Sequence, residues 1–145
     1  MNEESIHFFT EDITYQLRQR TEIRSWLKSI AKKEKYSILE LNYIFCSDEY
    51  LLQINKDFLD HDYYTDIITF GLSEKGEPVE AEVYVSLDRV KDNAANLETT
   101  FKAETLRVIF HGALHLCGYK DKTKSEIIQM REKEEQYLRL FEKNK

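Results

Sequence analysis

His111 and His115 lie in the run His111-Gly112-Ala113-Leu114-His115-Leu116-Cys117-Gly118-Tyr119-Lys120-Asp121. On a helix, two positions four apart differ by only about 40° around the axis, so both imidazoles leave the same face. Gly118 then offers a place for the helix to end and the chain to turn back. Beyond that turn the Asp121 carboxylate is in reach to close a three-ligand metal site. Three protein ligands with a fourth position open is how reactive zinc is held, whereas structural zinc is usually enclosed by four. The expectation is one Zn2+ ion on His111, His115 and Asp121, with nickel, cobalt or iron able to take the same ligands. Cys117 competes as a sulfur donor, but two residues after His115 it points about 200° away around the helix. It belongs with the apolar stripe and is assigned to the core.

The residue after His111 is also informative. Metalloproteases of the His-Glu-x-x-His type carry their general base there, and this chain has Gly112, so that mechanism lacks its base. Glycine at this point lets another backbone or a substrate approach closely. Arg107, one helical turn before His111, has two readings: a catalytic phosphate or supporting contact, or a salt bridge to a surface carboxylate. Thr65 and Asp66 either line a substrate pocket or cap a turn at a strand start. Asn55 either binds substrate or caps its helix. Glu134 interrupts an apolar stripe of Ile127, Met130, Tyr137 and Phe141, which reads as a partly buried, hydrogen-bonded structural carboxylate.

The elements that must hold these residues follow from periodicity. A short edge strand is expected at Ile6 to Phe9, then a long helix from about Asp12 to Lys33 with an apolar stripe from Ile13 to Ala31. Leu39, Leu41, Tyr43 and Phe45 alternate with polar residues as a strand does. Ser47 caps the next helix, whose buried side is expected to be Leu51, Ile54 and Phe58. Strands near Asp66–Leu72 and Glu80–Leu87 flank the turn-rich Glu74–Pro78 and are expected to pair antiparallel. A short helix from Leu87 to Asn96 leads into the histidine helix, Thr100 to Cys117, whose apolar surroundings predict burial. Thr123-Lys124-Ser125-Glu126 is a capping box that starts the last helix. Together these predict one α+β domain over residues 1–145, a small mixed sheet packed by helices with a central, buried metal-binding helix.

Composition sets outer bounds. The 145 residues are 33% charged and 12% aromatic, the profile of a folded domain with a proper core. A net charge of −6 argues against non-specific coating of nucleic acid, though not against a small basic rim from Lys102, Arg107, Lys120, Lys122 and Lys124. No apolar run approaches the roughly 20 residues of a membrane span. The N-terminal Met1-Asn2-Glu3-Glu4-Ser5 is acidic where a signal peptide is basic, and two cysteines make no disulfide framework. The expectation is a cytoplasmic protein.

The block from His111 to Tyr119 resembles the signature of the YbeY family, bacterial ribosomal RNA maturation factors regarded as single-strand-specific endoribonucleases. Asn55-Lys56-Asp57-Phe58 and the run Asp62 to Phe70 resemble its helix end and strand start, Ala81 to Ser86 its second central strand, and Met130 and Glu134 its last helix. The resemblance implies zinc-dependent cleavage of single-stranded RNA in ribosomal RNA maturation and ribosome quality control. It implies ribosomal RNA and small-subunit components as partners, and no membrane. Three positions depart from the family. Asp121 stands where the family usually has a third histidine, after Lys120 in place of aspartate. Leu59 stands where it usually has an arginine linked to RNA cleavage. Tyr64 replaces a proline. Two rivals stay open: a ribosome-assembly factor with a structural metal and no turnover, favoured by Leu59, and a metal-dependent hydrolase of peptides or small molecules, weakened by Gly112.

Overall fold

The computed structural model describes residues 5–143; Met1–Glu4, on which the acidic N-terminal reading rests, lie outside the described residues. The chain runs β1 (Ile6–Thr10), α1 (Arg20–Lys33), β2 (Ile38–Cys46), α2 (Asp48–Leu59), β3 (Ile67–Gly71), β4 (Val79–Ser86), α3 (Leu87–Asn96), α4 (Phe101–Leu116) and α5 (Lys124–Lys143). The sheet order is β1-β2-β4-β3, with β1, β2 and β4 mutually parallel and β3 antiparallel to β4. This is the α+β arrangement with a mixed sheet that the sequence pattern predicts. Among the described residues, no helix is long and apolar enough to cross a membrane.

Strand alternation assigns the two faces of the sheet. Leu41, Tyr43 and Phe45 of β2 and Val79, Ala81, Val83 and Val85 of β4 enter the main core, which α1, α4 and α5 complete. The opposite face carries Cys46, Ile68, Phe70 and Tyr84, covered by α2 through Leu51 and Ile54. α4 sits deepest: Leu106, Ile109, Phe110 and Leu114 are buried, and the fully buried Tyr43 donates its hydroxyl to the Ile109 carbonyl at 2.7 Å. Thr100 starts this helix by accepting the Ala103 N–H. The capping box at α5 is reciprocal, Thr123 Oγ1 accepting from Glu126 N and Glu126 Oε1 from Thr123 N.

Two expectations are corrected. The first helix begins at Arg20, not Asp12, and the segment before it is irregular, with Asp12 and Gln19 at positive φ. Long-range contacts hold it out of helical geometry. Asp12 accepts from both the backbone N–H and the hydroxyl of Ser47, and Tyr15 packs edge-on against Phe45 and Phe101. Phe58 is not on the buried side of α2 but 70% exposed, with Asn55 buried in its stead. Phe58 meets Phe70 edge-on, with 6.0 Å between ring centroids.

Candidate active site

The α4 face left free by the core presents Glu104, Arg107, His111 and His115 in sequence, three or four residues apart. Its inner end is a closed ionic chain. Glu104 and Glu134 are each 1% exposed. Arg107 donates through Nε and Nη2 to Glu104 and through Nη1 to Glu134 at 2.8 Å. The other Glu134 oxygen lies 2.6 Å from His111 Nδ1. Burial alone would raise the Glu134 carboxyl, yet the His111 hydrogen bond and the Arg107 charge hold it below the ordinary value. An ionised carboxylate only accepts, so His111 Nδ1 carries the proton. Burial would depress the His111 imidazole; Glu134, Asp121 and Asp66 together raise it instead. The same negative surroundings favour a metal cation at Nε2.

The outer end is built by the turn after α4. Gly118 takes φ +102°, its N–H donates to the His115 carbonyl, and Tyr119 N–H donates to the Leu114 carbonyl. The expected glycine turn is therefore present. It returns the chain so that the Tyr119 carbonyl lies 3.1 Å from His115 Nδ1. It also brings Asp121 Oδ2 to 3.2 Å from His111 Nε2. Below the turn, Glu34 accepts from the hydroxyls of Tyr119 and Tyr137 and pairs with Lys133.

These residues fit a single divalent ion by donor chemistry. Each histidine commits Nδ1 to an oxygen acceptor, which fixes the tautomer and leaves Nε2 for a ligand. The His111–Asp121 separation is also what two ligands of one tetrahedral zinc would show, roughly 3.3 Å for bonds of about 2.0–2.1 Å. His115 stands further off, its ring parallel to that of His111 at 6.5 Å between centroids. Among the described residues, no three His, Cys, Asp or Glu side chains converge closely enough to enclose an ion as they stand. Cys117, expected in the core, is instead half-buried beside it, and burial pushes its thiol up to about 12.

His111, His115 and Asp121 share one cavity of about 250 Å³ with Asn55, Leu59 and Thr65. A neighbouring cavity of about 330 Å³ reaches inward past Asp66 and Arg107 to Glu134. Most of the residues singled out from sequence are thus brought together, with altered surroundings for several. Arg107 is enclosed by two buried carboxylates rather than paired at the surface, and its donors are committed to them. Asn55, 1% exposed, donates Nδ2 to the Tyr63 carbonyl, while its own carbonyl accepts from the N–H groups of Asp60 and His61. It clasps the loop after α2. Thr65 donates its hydroxyl to the nearby Ile67 carbonyl, at 3.4 Å. Asp66, bonded by Asn93 Nδ2, has its carboxyl raised, mainly by burial. Gly112 faces the sheet rather than the cavity: a Cβ there would meet Ile67 and Val83 at 3.1 Å. The close neighbour it admits is the core. Tyr64, in place of the proline, hydrogen-bonds Glu49 and lies under the Arg89 guanidinium.

Sequence reasoning missed Glu104 and Glu34. A carboxylate three residues before Arg107 on an otherwise apolar helix was the available signal for the first. Glu34 is joined to its partners only by tertiary structure, and nothing local announces it.

The family model described as "Endoribonuclease YbeY" matches residues 5–142. A protein of that name from Cytophaga hutchinsonii is 66% identical, over 97% of this chain and 98% of its own length. Another from Flavobacterium psychrophilum is 42% identical, over 92% of this chain and 94% of its own. The solution structure of TM1509 from Thermotoga maritima superposes with a TM-score of 0.66 at 29% identity, covering 94% of this chain and 88% of that one. The chain belongs to the YbeY family of RNA-hydrolysing enzymes.

Proposed function

We propose that this protein is a metal-dependent endoribonuclease that cleaves single-stranded RNA in the cytoplasm. Its substrate is ribosomal RNA, and it acts in maturation and quality control alongside small-subunit components. His111, His115 and Asp121 hold one divalent ion, zinc by their donor set. The observation that carries this reading is the single cavity in which those three groups meet Thr65 and Leu59, with both histidines held through Nδ1.

When bound, the ion supplies an electrophile for the phosphodiester and lowers the pKa of water toward neutrality. The chain's own groups divide the remaining work. Glu134, locked by Arg107, orients His111 and keeps its proton on Nδ1. Arg107 is a positioning residue, its guanidinium held between Glu104 and Glu134. Gly112 lets α4 sit close to β3 and β4, which fixes the height of the histidine face above the sheet. Thr65 borders the cavity where the scissile phosphate lies, Asp66 borders its inner neighbour, and Asn55 holds the loop that leads to them.

The test combines metal analysis with cleavage assays on single-stranded and duplex RNA, comparing wild type with His115→Ala. One bound ion, preference for single strands and loss of both in the variant are expected. Leu59 favours a second reading, because it puts an apolar side chain in the cavity where the resemblance implies an arginine. In that reading the ion is structural and the protein assists assembly without turnover. Full metal loading with no cleavage under any ribosomal condition would select it.

A further inference from the structure

The lining of the cavity that holds His111, His115 and Asp121 carries an aromatic pair that the proposed chemistry does not use. His61 and Tyr63 stack at 5.1 Å between centroids and 21° between planes, and Tyr63 Oη lies 3.0 Å from His61 Nδ1. Both rings line the same cavity as His111, His115 and Asp121. Tyr63 is 56% exposed, so its ring is open to solvent, yet its backbone is fixed. The buried Asn55 holds the Tyr63 carbonyl and the His61 N–H at once. Tyr64 anchors the far side of the loop to Glu49. An exposed aromatic stack on a clamped loop is costly to maintain for packing alone, because neither ring covers the core.

We propose that His61 and Tyr63 form a stacking platform for one unpaired base of the RNA, beside the phosphodiester held at the histidine face. This rests on the reading of the cavity as an RNA site and assigns two binding residues within it. The surrounding charge points the same way. Asp60 and Asp62 flank His61 in the chain, and Asp62 is paired with Lys56, so neither neighbour of the ring offers a phosphate a cation. The face of a base, in contrast, is neutral and stacks on any aromatic ring. Only single-stranded RNA can offer that face, because a duplex keeps its bases stacked on one another. The platform therefore provides a contact that duplex RNA cannot make.

The experiment measures binding of a fluorescently labelled hexanucleotide of 2′-O-methyl ribose, which resists cleavage, to the metal-loaded protein over a range of salt. Tyr63→Ala is expected to weaken binding about tenfold at every salt concentration, and Tyr63→Phe to leave it within twofold. The slope against salt stays unchanged, since no phosphate contact is lost. An abasic site scanned along the hexanucleotide should cost wild type the same factor at one position and cost Tyr63→Ala nothing more there. Phe58→Ala, exposed but outside the cavity, is the control and binds as wild type. Undiminished binding by Tyr63→Ala, or an equal loss in Tyr63→Phe, overturns the stacking platform and leaves the RNA reading standing. Failure of the wild type to bind the hexanucleotide overturns both.

Discussion

The two histidines are one turn apart on the same helix and share a cavity, yet they are held in opposite ways. His111 stands at the end of a buried ionic chain, Glu104–Arg107–Glu134, in which every charge has a partner. His115 is exposed, and the hydrogen bond at its Nδ1 goes to the backbone of its own turn. One imidazole is set by the core before any ligand arrives; the other is set by a turn that tertiary contacts secure from below. The difference teaches that a centre can be half rigid and half adjustable. In the proposed centre the inner histidine and Asp121, already 3.2 Å apart, would define where an ion sits, and the outer histidine would be the ligand that adjusts to it.

The largest effect should come from the inner half. Glu134→Ala removes the acceptor for both Arg107 Nη1 and His111 Nδ1 and leaves buried positive charge short of a partner. Breaking a buried pair on one side costs about 3–5 kcal/mol. Arg107 keeps Glu104, so we expect a loss near the lower end, read from urea denaturation. Glu134→Gln keeps the shape without the charge and should fall between. A loss under about 1 kcal/mol for Glu134→Ala would break the contrast, since the inner half would then be no firmer than the outer.

Leu59 tests the outer half through activity. It is 40% exposed on the rim of the cavity, so an arginine fits there without entering the core. A charge-assisted phosphate contact is worth about 1.5–3 kcal/mol, roughly ten- to a hundredfold in rate if made mainly in the transition state. Leu59→Arg should raise cleavage of single-stranded RNA by that factor, with metal content and unfolding midpoint unchanged. Equal rates from equally stable proteins would mean the position carries no chemistry in this chain.

The tether beneath the turn gives a pH dependence. Burial by itself would raise the Glu34 carboxyl, but hydrogen bonds from Tyr137 and Tyr119 and the charge of Lys133 outweigh it, and the net direction is down from 4.5. A carboxyl depressed in the folded state contributes stability above its unfolded pKa, and that contribution fades as pH falls through the folded value. Wild type should therefore exceed Glu34→Gln by about 1.5 kcal/mol at neutral pH, the scale of hydrogen bonds to an ionised group. Stability curves of the two proteins should draw together as the pH falls below 4.5 and converge once it has passed through the depressed folded value of Glu34. A gap that persists in acid would show that the carboxylate's charge is not what secures the turn.

What the sequence revealed and what it hid divide along the same line. The α4 face, the Gly118 turn and the α5 capping box are local patterns, so spacing alone located them. Glu134 was legible as an interruption in an apolar stripe. Its partners were not, because Arg107 and His111 come from another helix and helical periodicity says nothing about which faces meet. The start of α1 was misjudged for a related reason: apolar spacing continues through residues 13–19, but Asp12 and Tyr15 are claimed by Ser47, Phe45 and Phe101. Asn55 had two readings from its position at a helix end. The structure shows an amide that clasps the following loop, a role that depends on where Tyr63 returns. His61 has no metal-ligand spacing and reads from sequence as a surface residue, since only the folded loop stacks it on Tyr63 at the cavity.

His115→Ala should have the smallest effect on the fold. Its ring is exposed and its one hydrogen bond closes a turn that Gly118, Tyr119 and Glu34 already hold. Exposed substitutions of this kind change stability by within about 0.5 kcal/mol. A single imidazole ligand is nonetheless a third of the proposed protein donor set, so metal content after dialysis should fall well below one ion per chain. His111→Ala would lose metal as well, but it also leaves Glu134 buried with one partner fewer and should destabilise the metal-free protein measurably. The pair of variants therefore separates holding an ion from holding the fold. If His115→Ala unfolded as readily as His111→Ala in chelator, the outer histidine would be part of the core architecture and the half-adjustable centre would be wrong.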